Sequence, residues 1–104
     1  MHFVLLATHT PDTCPTSNAT TRDLLLNTAP DMPNLAQKAG VDIVAGPFVN
    51  REHTIVMVVQ SDKAENVDRF LTEGRLSQWN SVHVLPSLTM EEGLTEIRAQ
   101  TQIF

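Results

Sequence analysis

Several residue types that mark specialised protein classes are scarce in this chain. Its 104 residues include one cysteine, four glycines, six prolines and no tyrosine. A single cysteine excludes an intramolecular disulfide. The low glycine and proline content excludes collagen-like and low-complexity sequence. Because 41% of the residues are apolar and 18% are charged, the composition favours one globular domain over residues 1–104.

Positive charge is also scarce. Seven lysines and arginines stand against twelve acidic residues, which leaves a net charge of −5. So few dispersed cations cannot form a basic face, so no nucleic-acid partner is expected. No apolar run reaches the roughly 20 residues that cross a bilayer, so no membrane partner is expected either. Residues 1–9 lack the basic start of a signal peptide and are interpreted as a strand, which predicts a cytoplasmic protein.

Apolar and β-branched residues predict four strands, at residues 1–9, 41–49, 53–60 and 81–85. Pro86 is expected to end the last of them. Ser17 is the predicted cap of a first helix, which is interrupted near residues 30–33 and resumes as a short helix ending at Gly40. Two capping boxes predict the later helices, at Asp62 and Glu65 and at Thr89 and Glu92. Gly74 is expected to end the first of these helices.

The resulting order is β-α-β-β-α-β followed by a C-terminal helix. This α+β pattern is typical of the ferredoxin-like fold, with an antiparallel sheet in the order 4-1-3-2. Helices cover one face of such a sheet. The apolar residues of the other face predict a homodimer through the sheet.

The predicted topology gathers residues that are far apart in the chain. His9 ends the first strand, and Cys14 follows it in a Pro- and Thr-rich loop. His53 opens the third strand and His83 lies near the start of the fourth, both of them beside the first strand. Antiparallel order therefore places all four residues at one rim of the sheet, close to Arg51.

Two functions fit this rim, and a third depends less on it. The first is binding of a transition-metal ion or a small molecule. Imidazoles and a thiolate are ligands for zinc, copper, nickel or iron, so His9, Cys14, His53 and His83 are candidate metal ligands. Alternatively, the protein is a cofactor-free isomerase, lyase or oxygenase acting on a small organic molecule. His9 or His53 would then transfer the proton, Arg51 would hold an anion, and Cys14 could serve as a nucleophile. The third function is non-catalytic partner binding or regulation through the tail at residues 100–104.

Residues 40–86 resemble the YCII-related family of the dimeric α/β-barrel superfamily. The resemblance is carried by Gly40-Val41, Ala45-Gly46-Pro47-Phe48 with its hairpin, the third strand, Ser61-Asp62-Lys63-Ala64-Glu65, and the fourth strand ending in Leu85-Pro86. It implies a ferredoxin-like protomer that pairs through its sheet into a dimeric α/β barrel, with a pocket near that interface. The wider superfamily includes isomerases, monooxygenases, dehalogenases and metal-binding proteins.

One feature of that family is missing from this chain. Its members typically carry a histidine in the first helix, a few positions after an arginine. Here Arg22 is followed by Asp23-Leu24-Leu25-Leu26, and no histidine lies between Cys14 and His53. Any chemistry is therefore expected from the rim residues.

Overall fold

A computed structural model describes residues 1–100 of the chain. Four strands form its sheet: β1 (His2–Thr8), β2 (Asp42–Phe48), β3 (Thr54–Gln60) and β4 (Ser81–Ser87). The helices in these residues are α1 (Ala19–Thr28), α2 (Met32–Ala39), α3 (Ala64–Glu73), α4 (Leu76–Trp79) and α5 (Met90–Ala99), with a 3₁₀ turn over Ala29–Asp31. Residues 101–104, which include most of the tail predicted to bind a partner, lie outside the described residues.

The sheet is antiparallel throughout, in the order β2-β3-β1-β4. This is the predicted order read from the opposite edge, so the α+β class and the sheet order are confirmed. β1 lies in the centre, between β3 and β4. Its side chains are apolar on both faces of the sheet: those on one face are buried in the core, and those on the other face are partly buried.

One face of the sheet forms the core. Alternate residues of the two central strands are buried on that face: Phe3, Leu5, Ala7, Ile55, Met57 and Val59. Helices α2 and α3 pack on them, with Ala36 and Phe70 among their buried residues. The small Ala36 side chain lets α2 approach closely, whereas Phe70 fills space under α3 and is fully buried.

The opposite face of the sheet stays partly exposed. Val4 and Leu6 on β1 pair with Val58 and Val56 on β3, and all four side chains are only partly buried. On β4, Leu85 continues this apolar surface and is 44% exposed. We refer to these five residues as the open face.

Several predicted local signals differ from the structure. The cap of α1 is Asn18, whose side-chain oxygen accepts from the Thr21 amide, and not Ser17. The Ser17 hydroxyl donates instead to backbone carbonyls within the preceding loop. The predicted capping box at Asp62 is also wrong. Helix α3 begins at Ala64, so Lys63 is at the N-cap position, and no side chain caps the helix.

Pro86 does not end β4, which continues to Ser87. β4 is an edge strand, where a proline without an N–H is tolerated because that position can face solvent. The predicted ends at Gly40 and Gly74 are confirmed: each follows its helix directly and its amide donates to carbonyls of the last turn. Gly40 has a φ of 78°, the left-handed conformation that favours glycine at this position.

Helix α5 forms as predicted but projects from the body. The Thr89 and Glu92 capping box is present at its start. Met90, Leu94 and Ile97 lie along one side of α5, and each is more than 40% exposed. The radius of gyration is 16.0 Å, whereas a compact chain of this length has about 13 Å. The difference reflects an extended shape, 54 Å along its longest axis.

The β2–β3 hairpin carries His53 to the rim and depends on Gly46. Two irregularities in the β2–β3 register surround this glycine, which has a φ of 84°. A Cβ atom at this position would lie 2.6 Å from the backbone oxygen of Val56. Only glycine combines this backbone conformation with so close an approach between strands.

We therefore expect Gly46→Ala to lower the free energy of unfolding by about 2 kcal/mol or more, through left-handed strain and the Val56 contact. The matched control is Gly93→Ala, where a Cβ has open space within α5. That variant should leave stability unchanged or raise it by up to ~1 kcal/mol. Urea denaturation followed by circular dichroism measures both, and equal effects of the two substitutions would contradict the prediction.

Candidate functional site

Three of the predicted rim residues meet in the structure. One ligand atom from each of His9, Cys14 and His53 can be chosen so that all three lie within 4.8 Å of one another. His9 follows β1 directly, Cys14 lies in the loop between β1 and α1, and His53 precedes β3. The cluster therefore depends on the pairing of β1 with β3, because the three residues span 45 positions of the chain.

Backbone hydrogen bonds hold Cys14 in the loop. Its amide donates to the Pro11 carbonyl at 3.3 Å, and its own carbonyl accepts from the amides of Ser17 and Asn18 at 2.9 and 2.8 Å. The Asn18 side chain also donates to the Asp12 carbonyl. Because the loop satisfies its own polar groups, it can bury Cys14 at the rim.

An asparagine-centred turn positions His53. The Asn50 side chain accepts from the amides of Glu52 and Thr54 and donates to the Thr54 carbonyl. His53 itself has a φ of 56°, in the left-handed region. This conformation costs roughly 1–2 kcal/mol for a residue with a Cβ. The His53 carbonyl accepts from the His9 amide at 3.1 Å, which holds the two histidines together.

Asn80 determines which nitrogen of His9 carries the proton. Its side-chain nitrogen donates to the Leu76 carbonyl at 3.0 Å, which leaves its oxygen to face His9 Nδ1 at 2.9 Å. An amide oxygen can only accept, so Nδ1 carries the hydrogen. His9 Nε2 therefore holds a free lone pair in the neutral ring.

That lone pair has no partner. His9 Nε2 is buried and makes no hydrogen bond in the structure, and an unpaired buried polar atom costs about 1–3 kcal/mol. Histidine ligands of metals commonly donate one ring N–H to an oxygen while the other nitrogen binds the ion. His9 has this arrangement, with the Asn80 oxygen as the outer partner.

The thiol of Cys14 is more acidic than an ordinary cysteine. The Thr16 hydroxyl, 3.0 Å from Sγ, lowers the pKa of Cys14 most, and the Thr16 backbone and then His53 lower it further. Burial acts in the opposite direction but is outweighed. Hydrogen bonding to a thiolate favours the charged form, which is the form that binds metals.

A cavity of about 530 Å³ opens beside the cluster. Its walls are mainly apolar and include Leu25 of α1, Ile55 of β3 and Trp79 of α4. Two aromatic rings lie beside the His9 ring, measured centroid to centroid. The Trp79 ring is 5.0 Å from the His9 ring, and the His53 ring is 5.4 Å from the His9 ring in an edge-on arrangement. The imidazoles therefore border a pocket of the size that small-molecule sites have.

The other two predicted site residues lie in different places. Arg51 lines the cavity, on the same hairpin as His53. His83 pairs with Leu6 of the open face and is exposed. It does not belong to the cluster of His9, Cys14 and His53. Successive strand residues alternate between faces, so the register of β4 separates His83 from His9.

Sequence reasoning did not identify Asn80 as part of the site. Asn80 lies between α4 and β4, 71 positions from His9, and no local motif connects them. The neighbouring Trp79 lies in the cavity wall. Only the tertiary contacts of Trp79 and Asn80 with His9 bring these residues to the cluster.

Loss of the Thr16 hydroxyl should make Cys14 less acidic. In chelator-treated protein, we expect Thr16→Val to raise the pKa of Cys14, since the largest cause of its lowering is removed. Ultraviolet absorbance of the thiolate against pH measures this, because the chain has one cysteine. A depressed pKa stabilises the fold above the pKa of the unfolded thiol, and this contribution is lost as pH falls through the folded pKa. The stability of the wild type relative to Thr16→Val should therefore increase with pH over that window. Coincident titration curves for the two proteins would contradict the prediction.

Among the described residues, no helix has the length and hydropathy to cross a membrane. Comparison of the chain with protein-family models, with curated proteins and with solved structures gives no match. The resemblance over residues 40–86 therefore stays a prediction, and functional inference rests on the geometry of the site.

Proposed function

We propose that this protein binds a transition-metal ion through His9, Cys14 and His53, with the adjoining cavity open to a small molecule. The observation that carries the proposal is the convergence of these three ligand atoms within 4.8 Å. The orientation of His9 supports it, because Asn80 leaves Nε2 free and nothing else satisfies that atom.

The donor set favours zinc among the candidate ions. Two imidazoles and one thiolate match three-ligand zinc sites that keep a fourth position open. Tetrahedral zinc separates its donor atoms by roughly 3.3–3.6 Å, from bond lengths of about 2.0–2.3 Å. Binding would thus shorten the separations between ligand atoms by up to about 1.5 Å, within the reach of side-chain rotation. Copper, nickel and iron accept similar donors, so the choice of ion is a matter for measurement.

Metal binding explains the cluster better than cofactor-free acid–base chemistry does. Proton transfer requires one histidine, whereas the structure brings together two histidines and an acidified thiol. Nucleophilic catalysis by Cys14 has less support, since the Cys14 amide already donates to the Pro11 carbonyl. That N–H is therefore not free to stabilise an oxyanion at the nucleophile.

Cobalt titration of metal-free protein, purified without a polyhistidine tag, tests the site. We expect one ion per chain and a thiolate-to-cobalt absorption band that Cys14→Ser abolishes. His53→Asn should weaken zinc affinity at least about 100-fold, measured by competition with a chromophoric chelator. Asparagine is chosen at this position because it tolerates a positive φ better than alanine does. Asn80→Leu should weaken zinc affinity about 10- to 100-fold through loss of the His9 orientation.

His83→Asn is the matched control, because it removes a histidine on the opposite face of the sheet. It should leave zinc affinity unchanged. A cobalt complex without the thiolate band would contradict the proposal, as would equal effects of the two His→Asn variants.

We also propose that the protein is a homodimer through the open face of the sheet. Val4, Leu6, Val56, Val58 and Leu85 form a continuous apolar surface that is only partly covered in one chain. Helix α5 adds a second exposed apolar stripe, and a ten-residue helix that makes few contacts is marginal on its own. A second copy would bury both surfaces, and this is consistent with the extended shape of the single chain.

The dimer predicts a mass near twice 11.5 kDa in sedimentation or light-scattering measurements. Leu85→Glu should shift the protein towards the monomer, because it places a carboxylate in the apolar interface. The control is Leu26→Glu on α1, where the wild-type leucine is 65% exposed. A monomeric wild type, or dissociation by both variants alike, would contradict the open-face dimer.

A further inference from the structure

The cavity beside the metal ligands differs in charge from the rest of the molecule. The protein carries a net charge of −5, yet no carboxylate side chain lines the cavity. Arg51 lines it, and among residues 1–100 this guanidinium forms no ion pair. An anionic ligand would therefore find its local cation here.

Other polar groups around the cavity are already engaged. The Asn50 side chain is used within its own turn, and the hydroxyls of Thr16 and Thr54 contact Cys14 and Thr8. Once His9 and His53 hold a metal ion, the Arg51 guanidinium and the open position on that ion are the groups left for a ligand. The polar end of the cavity therefore offers positive charge and, with a metal ion, one open coordination position.

The remaining wall is apolar. Leu25, Val49, Ile55 and Trp79 contribute hydrocarbon and indole surface. Val49 is 81% exposed in the free chain and would lose much of that exposure against a bound apolar group. Burial of this surface would favour binding through the hydrophobic effect. These contacts favour a ligand with an apolar body over a sugar or a nucleotide.

We infer that the cavity binds a small monocarboxylate with an aromatic or aliphatic body. Its carboxylate lies at the end formed by Arg51, His9 and His53, and its apolar body packs against Leu25 and Trp79. The inference rests on the proposed metal function, because the ion supplies the open position beside Arg51. Arginine suits this role since its planar guanidinium can donate two parallel hydrogen bonds to one carboxylate.

Trp79 reports on the cavity directly, because it is the only tryptophan in the chain. Zinc-loaded protein is titrated with phenylacetate and with phenylacetamide, which has the same apolar body but no charge. We expect a saturable change in tryptophan fluorescence with both probes, and affinity about tenfold higher for phenylacetate.

Two variants separate the charge from the apolar wall. Arg51→Gln should weaken phenylacetate binding several-fold, through loss of the guanidinium, and leave phenylacetamide affinity unchanged. Leu25→Ala should weaken both probes by similar factors. Arg69→Gln, on the exposed surface of α3, is the matched control and should change neither affinity.

The outcomes distinguish this inference from the metal proposal. Failure to load zinc or cobalt would refute the proposed function, on which the inference rests. Zinc binding without a phenylacetate-dependent fluorescence change would overturn the inference alone. Equal affinity for the two probes, or equal effects of Arg51→Gln and Arg69→Gln, would also overturn it, because the anion would then not be recognised by Arg51.

Discussion

The pairing of β1 with β3 extends beyond the last residue of each strand. The amide of His9 donates to the carbonyl of His53, one step past the pair formed by Thr8 and Thr54. This hydrogen bond places two histidines side by side at the rim, just beyond the last pair of the β1–β3 ladder. The loop with Cys14 then folds over the same end because it starts directly after His9. The site, its cavity and the role of Asn80 all depend on this extension of the sheet.

Two features of the site are costly for folding. His53 adopts a left-handed backbone, and His9 Nε2 is buried without a partner. The buried His9 Nε2 contributes nothing to the core, which is formed by apolar packing. Costs of this kind are often found where a ligand compensates for them. A metal ion at the cluster would bind the unpaired Nε2 of His9 and a ring nitrogen of His53.

The outer surfaces of the molecule follow from its small size. A chain of about 100 residues buries only about two-thirds of its unfolded surface, and here the helices that form the core lie on one side of the sheet. Val4 and Leu6 on the open face, and the apolar side of α5, remain exposed to different degrees. Association of two copies would complete the layered architecture that a single chain leaves half covered.

The sequence by itself determined the element order, the antiparallel sheet and the convergence of His9, Cys14 and His53. Strand periodicity and capping residues act locally, and strand direction then decides which ends meet. Local rules failed at Ser17, because Asn18 caps α1 instead, and at Pro86, because an edge strand tolerates proline. They also failed at Asp62, because α3 begins at Ala64 without a side-chain cap.

Only the tertiary structure decided which rim residues form the site. The register of β4 turned His83 to the other face, and the packing of α4 brought Asn80 to His9. Register and helix packing depend on contacts between residues that are distant in sequence, and no local pattern encodes them. For that reason, the sequence located the candidate site at one end of the sheet, and the fold decided which residues come together there.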